Sequence, residues 1–108
     1  MPTRISFGER LRQARSHCSI SQRDLGVAIG IDEDGAAPRI SQYERGKHIP
    51  DLQVTAQLAE VLEVPVAYFY ADEEELAALI LMCSKLDTEQ QRGLIQYFAD
   101  NYGIAYDH

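Results

Sequence analysis

Between Ala37 and Lys47 the chain gathers side chains suited to reading the edges of planar, hydrogen-bonding partners. The run is Ala37-Pro38-Arg39-Ile40-Ser41-Gln42-Tyr43-Glu44-Arg45-Gly46-Lys47. The Arg39 guanidinium offers a rigid fork that matches the two acceptors of guanine, and the Gln42 amide pairs a donor with an acceptor as adenine requires. Ser41 suits a base or a phosphate oxygen. The Ala37 methyl can touch a thymine methyl, and Pro38 brings no donor. On a helix Ile40 and Tyr43 share the core face, which leaves Ala37, Pro38, Arg39, Ser41, Gln42 and Arg45 outside. Bond-breaking chemistry has no counterpart here. No nucleophile, base and orienting group stand together, and no glycine loop cradles phosphates, so no enzyme and no cofactor is expected.

Charge supports a nucleic-acid partner for only part of the chain. The 108 residues carry a formal net charge of −7, the wrong sign for such a binder. Residues 1–50, however, hold eight Lys/Arg against six acids, a net +2, and residues 51–108 hold two against eleven, a net −9. Phosphate would repel the acidic half. Arg12, Arg23, Arg45 and Lys47 each fit a solvated face as well as a phosphate contact. Two cysteines, Cys18 and Cys83, without CxxC spacing suit a reducing cytoplasm. His17, Cys18 and His48 match no zinc spacing, and Asp32-Glu33-Asp34 lacks the twelve-residue calcium pattern, so no metal is expected. No run approaches a transmembrane span, and Met1–Ser6 has no secretory apolar stretch.

The elements that must position these residues are helical throughout. Ser6 and Glu9 form a capping box for a first helix over about 6–16, with Phe7, Leu11 and Ala14 on its inner face. Ser21 opens a second helix that buries Leu25, Ala28 and Ile29 and stops at Gly30. Residues 30–35 read as a loop. Pro38 belongs in a first turn, so a third helix is expected over about 36–45. Asp51 caps a fourth, with Leu52, Ala56, Ala59 and Leu62 on one face. Pro65 begins a short fifth holding Val66 and Phe69. Asp72 is the expected cap of a sixth that runs to about Leu86, with Glu73, Glu74 and Glu75 in its first turn. Thr88 and Gln91 are the expected capping box of a seventh that ends near Gly103. Tyr68 and Tyr70 are expected to seal the junction between the first five helices and the last two.

Ser21-Gln22, Leu25, Ile40-Ser41, Glu44-Arg45-Gly46, Leu58-Ala59 and Leu62, together with Arg15, resemble the lambda-repressor/Cro-like helix-turn-helix family, the XRE-type transcriptional regulators. The resemblance covers about residues 6–70. It implies an all-α chain: a five-helix repressor-like DNA-binding domain (1–70) followed by a C-terminal two-helix hairpin (71–108). Gln22 matches the family position that grips a phosphate. On the side-chain chemistry above, base reading is expected from Ala37, Pro38, Arg39, Ser41 and Gln42, and further phosphate contacts from Ser21, Arg23, Arg45, Lys47 and His48. Arg15 and Glu44 match a pair that in the family forms a structural salt bridge. One departure is spacing. Gln22 and Ile40 stand about four residues further apart than a short family turn allows, and the added residues include the acids 32–34.

The tail reads as a dimerising element. Leu76-Ala77-Ala78-Leu79-Ile80-Leu81-Met82-Cys83 is apolar nearly all round, and the last helix offers Leu94, Ile95, Phe98 and Tyr102. A two-helix hairpin cannot cover all of that alone. A homodimer through Leu76, Leu79, Ile80, Cys83, Leu94, Ile95, Phe98 and Tyr102 is expected, with a close helix crossing at Gly93. The expectation is therefore a cytoplasmic, dimeric repressor on double-stranded DNA. The alternative is a protein-interaction module, antitoxin-like, that acts through the apolar hairpin on a protein partner.

Overall fold

A computed structural model describes residues 6–105. Met1–Ile5 and residues 106–108, including the expectation of no secretory run at the start, lie outside the described residues. Six α-helices and one 3-10 helix follow in order: α1 (Phe7–His17), α2 (Gln22–Ala28), α3 (Glu33–Glu44), α4 (Leu52–Leu62), the 3-10 helix (Val66–Tyr70), α5 (Glu74–Ser84) and α6 (Thr88–Tyr102). The described residues contain no strand, and no described helix is long and apolar enough to cross a membrane.

Side chains at the expected places start several of these helices. Ser6 Oγ accepts from the Glu9 amide, and the Glu9 carboxylate accepts from the Ser6 amide, which closes the capping box. Ser21 Oγ accepts from the Asp24 amide at 2.9 Å, and Asp51 Oδ1 from the Val54 amide at 2.8 Å. Two caps differ from expectation. The last helix is capped by Asp87 with Gln90, one residue before Thr88–Gln91, because the carboxylate and amide close a reciprocal pair at 2.8 and 3.0 Å. The N-cap of α5 is Glu73 rather than Asp72, and it makes no side-chain cap bond. A hydrogen bond from Arg10 to the Ala71 carbonyl holds the preceding backbone extended, so the helix starts later.

The largest correction concerns residues 30–35. Only the first half of that segment is irregular: the turn is Ile29–Asp32, and Glu33 already begins α3. Gly30, at φ +96, makes the reversal, and the Ile31 amide donates to Gly26 O at 3.0 Å. Glu33 and Asp34 then occupy the first turn, where carboxylates meet the positive end of the helix dipole. Pro38 therefore lies inside α3, where its ring removes one helical hydrogen bond on an exposed face.

The core gathers Leu11, Ala14, Leu25, Ile29, Ile40, Tyr43, Leu58, Ala59, Leu62, Tyr68 and Phe69, with Ala71 and Ala77 at its C-terminal edge. Ala28, Leu52 and Ala56 are exposed, contrary to expectation; Gly26, Thr55 and Leu58 take the inward positions instead. Tyr68 is buried, but Tyr70 is exposed and only flanks Phe7, with ring centroids 5.5 Å apart. Two glycines permit close crossings. A Cβ on Gly26 would stand 2.6 Å from Ala36 Cβ, and one on Gly8 would strike the Glu44 carbonyl and come within 2.8 Å of Tyr43 O. α1 and α2 thus both press directly on α3.

The tail is far more open. α5 buries only Ala77, and α6 buries none of its residues. The radius of gyration, 16.1 Å, exceeds the ~13 Å of a compact domain of this size, so the tail projects. A Cβ at Gly93 would meet nothing within 4 Å, so the expected close crossing there does not occur within one chain.

Gly8→Ala should lower stability by about 2–3 kcal/mol, because the obstructing atoms are backbone and cannot rotate away. Urea denaturation checks this; an unchanged midpoint would mean that α1 and α3 are not in such close contact.

Candidate nucleic-acid interface

α3 carries the candidate surface, and one carboxylate fixes its C-terminal end. The Glu44 side chain is 1% exposed. Arg15 grips it twice, from Nε to Oε2 at 2.6 Å and from Nη2 to Oε1 at 3.2 Å. Gln22 Nε2 donates to Oε1 at 3.1 Å, and Arg12 Nε lies 3.7 Å away. Arg15 Nη1 also donates to the Ile20 carbonyl at 3.1 Å. Glu44 therefore ties α3 to α1 and to the start of α2. A buried anion needs such partners, since desolvation would otherwise cost several kcal/mol.

That frame leaves one edge of α3 outward. Arg39, Pro38 and Arg45 are exposed, and Ala37, Ser41 and Gln42 are half-buried. Arg45 Nε donates to Ser41 Oγ at 3.1 Å, which lays the two side chains along the same edge. Gly46, at φ +73, turns the chain, and the amides of Lys47 and His48 both donate to the Gln42 carbonyl, at 2.9 and 3.3 Å. This brings Lys47 and His48 back beside the end of α3, both exposed.

The other expected phosphate residues already have partners. Ser21 Oγ caps α2, although its own hydrogen remains available to donate. Gln22 is half-buried, and one amide hydrogen serves Glu44. Arg23 pairs with Glu33 across the turn and lies 3.6 Å from Asp24. The hydrogen bond and the charge of Glu33 together raise the Arg23 pKa above its ordinary value. Among the described cations of the first half, Arg10, Arg12, Arg15 and Arg23 have carboxylate partners, whereas Arg39, Arg45 and Lys47 have none among the described residues. The first turn of α3 presents Glu33 and Asp34, so its cations begin only at its middle.

The arrangement is that of two helices joined by a tight turn, the second with a polar edge outward. A family model described as "Helix-turn-helix domain" matches residues 6–69. The chain belongs to the helix-turn-helix domain family. An HTH-type transcriptional regulator of Sinorhizobium medicae (strain WSM419) is 31% identical over 71 residues, covering 66% of this chain and 48% of that protein. The chain thus spans about half the length of the curated relatives it first matches. The cryptic phage CTXphi transcriptional repressor RstR of Vibrio cholerae is 26% identical over 93 residues, 82% of this chain and 80% of the relative. The crystal structure of the transcriptional regulator BswR superposes with a TM-score of 0.81 at 43% identity, covering 89% of this chain and 95% of that one. That superposition covers more of the chain than residues 6–69, so part of the tail is shared with that neighbour as well.

Sequence reasoning missed three features of this family member. Gly26 and Gly8 admit the close approach of α2 and α1 to α3, and only their placement on inward helix faces hints at it. Arg10 has no role in the sequence reading, yet it is fully buried.

Replacing Glu44 with Ala should cost about 3 kcal/mol, since Arg15 is left without its partner in a half-buried place. In a double-mutant cycle with Arg15→Ala, the two losses should fall short of adding by 1 kcal/mol or more. Strict additivity in chemical denaturation would contradict the shared network.

Proposed function

We propose that the chain is a dimeric, sequence-specific double-stranded-DNA-binding regulator, a repressor that acts in the cytoplasm by occupying promoter DNA. Residues 1–70 form the DNA-binding domain and 71–108 the dimerising element, whose two helices α5 and α6 pack little against each other within one chain. The observation that carries this reading is the outward edge of α3: Arg39 is exposed with no carboxylate partner among the described residues, and Ser41, Gln42 and Arg45 follow on the outward side of the same helix, with Lys47 beyond its end. Repression is supported by the repressor among the relatives, which spans most of this chain.

Arg39 and Gln42 read bases in the major groove, and Ala37, Pro38 and Ser41 line the same edge. Because Glu33 and Asp34 lead α3, the helix engages the groove with its middle rather than its tip, which keeps the carboxylates off the phosphates. Lys47, His48 and Arg45 hold the backbone at one end. Ser21 and Gln22 do so at the start of α2 with their remaining hydrogens, and Arg23 joins them by exchanging Glu33 for a phosphate.

Dimerisation is supported by what the tail leaves uncovered. Leu76, Leu79, Ile95 and Tyr102 are exposed, and Ile80, Cys83, Leu94 and Phe98 are half-buried. Met82 and Tyr97 add to the same uncovered apolar surface. A 15-residue helix with none of its residues buried is marginal in water by itself. A second copy supplies the missing cover and sets two copies of α3 on half-sites ~34 Å apart or a multiple of that.

Arg39→Ala and Gln42→Ala should each weaken binding to a selected site by about 1–3 kcal/mol and relax preference at a base pair. Lys47→Ala should weaken all sequences alike and reduce the salt slope by about 1. Fluorescence anisotropy across a salt series separates the two patterns; intact site preference in both base-reading variants would refute the assignment. Leu79→Asp should give a folded monomer by sedimentation equilibrium, whereas an unshifted mass would remove α5 from the interface.

A further inference from the structure

We infer that Arg10 and Glu74 form the joint that sets the angle of the α5–α6 tail on the DNA-binding domain, and through it the half-site spacing the dimer accepts. The inference rests on the dimeric reading above.

Four segments meet on one side chain. Arg10, in α1, is fully buried. Its Nε donates to the Ala71 carbonyl at 2.7 Å, in the stretch that leads into α5. Its Nη1 donates to Gln13 Oε1 at 2.8 Å and to Glu74 Oε1, in the first turn of α5, at 3.2 Å. Gln13 Nε2 reaches the same Glu74 oxygen at 3.3 Å, and the Tyr68 hydroxyl donates to Gln13 Oε1 at 3.2 Å. The guanidinium lies 5.6 Å from the centroid of the Tyr68 ring. Burial pushes the Tyr68 phenol up, and the Arg10 cation opposes that rise.

Apart from this network α5 is held by apolar contact alone: Ala77 is buried, and Ile80 and Leu81 pack partly buried against the core. An apolar side chain at position 10 would fill the space without the cost of burying a cation. What arginine adds is direction: its planar fork fixes the angle between the groups it bonds, which a greasy contact does not. The joint is not tuned for stability alone, because Arg10 Nη2 is buried with no partner among the described residues. The leverage is large. α5 is ~16 Å long at 1.5 Å per residue, so a swing of ~10° moves its far end by ~3 Å, close to the rise of one base pair.

The test uses the full chain and duplex pools in which two selected half-sites are separated by a central segment varied one base pair at a time. Single half-site duplexes serve as reference. Glu74→Ala removes a side chain that is 60% exposed, so the domain keeps its fold; Arg10→Met is the stronger variant, judged only if thermal unfolding shows it folded. The wild-type chain should prefer its best spacing over neighbours one base pair away by about tenfold. In Glu74→Ala that preference should fall to threefold or less, with single half-site affinity within twofold of wild type and an unchanged dimer mass. Undiminished spacing preference in folded Glu74→Ala overturns the inference. So does an equal loss on single and paired half-sites, which is the mark of general damage. A wild-type chain that binds paired half-sites no better than single ones overturns the dimeric reading instead, and the joint with it.

Discussion

The Glu44 carboxylate is buried beneath the end of α3, and everything that α3 presents to the outside follows from how that charge is satisfied. Two donors from Arg15 and one from Gln22 converge on its two oxygens, with Arg12 close by. These donors come from α1 and from the first residue of α2. A lone buried carboxylate would be intolerable, so the three helices can adopt only an arrangement in which the donors reach it. Close contacts reinforce that geometry: Gly26 lets α2 meet Ala36, and Gly8 lets α1 meet the backbone of Tyr43 and Glu44. With Ile40 and Tyr43 turned inward by the same packing, Arg39 and Arg45 have nowhere to go but out.

Much of this frame is legible in the sequence because it is written in local rules. Ser6, Ser21 and Asp51 cap helices where their spacing to the next inward residues says they should. The family pattern names Arg15 and Glu44 from opposite ends of the motif. The segment before Pro38 is less legible. Gly30, three acids, Gly35 and Pro38 carry loop composition, and proline statistics favour a first turn. The helix dipole and the buried Ala36 against Gly26 override both, so α3 gains a turn that composition denies it. Ala28 and Ala56 illustrate a different limit: alanine on a helix has no strong preference for either face, and Gly26 and Thr55 take the inward positions. Arg10 could not be found by pattern at all. Its burial depends on residues 71 and 74, more than sixty positions away.

The added turn changes how charge is laid out on the candidate surface. A short family turn would put the head of the recognition helix at the polar residues themselves. Here Asp32, Glu33 and Asp34 come first, and Glu33 engages Arg23. Cations therefore concentrate from Arg39 to Lys47 and carboxylates at the opposite end of α3. The net +2 of residues 1–50 is thus unevenly spread, and the strongly acidic remainder, residues 51–108, makes approach in any other orientation unfavourable. In the proposed complex, orientation on DNA is constrained by repulsion as well as by attraction.

The account stands on the outward edge of α3 reading bases from the major groove. Methylation interference tests this without altering the protein. Guanine N7 lies in the major groove, where the Arg39 fork requires it as an acceptor, whereas adenine N3 lies in the minor groove. On a selected duplex, methylation at guanine N7 within each half-site should abolish binding, and methylation at adenine N3 at the same positions should leave it nearly intact. Binding that tolerates N7 methylation throughout, or fails only on minor-groove methylation, would contradict the account.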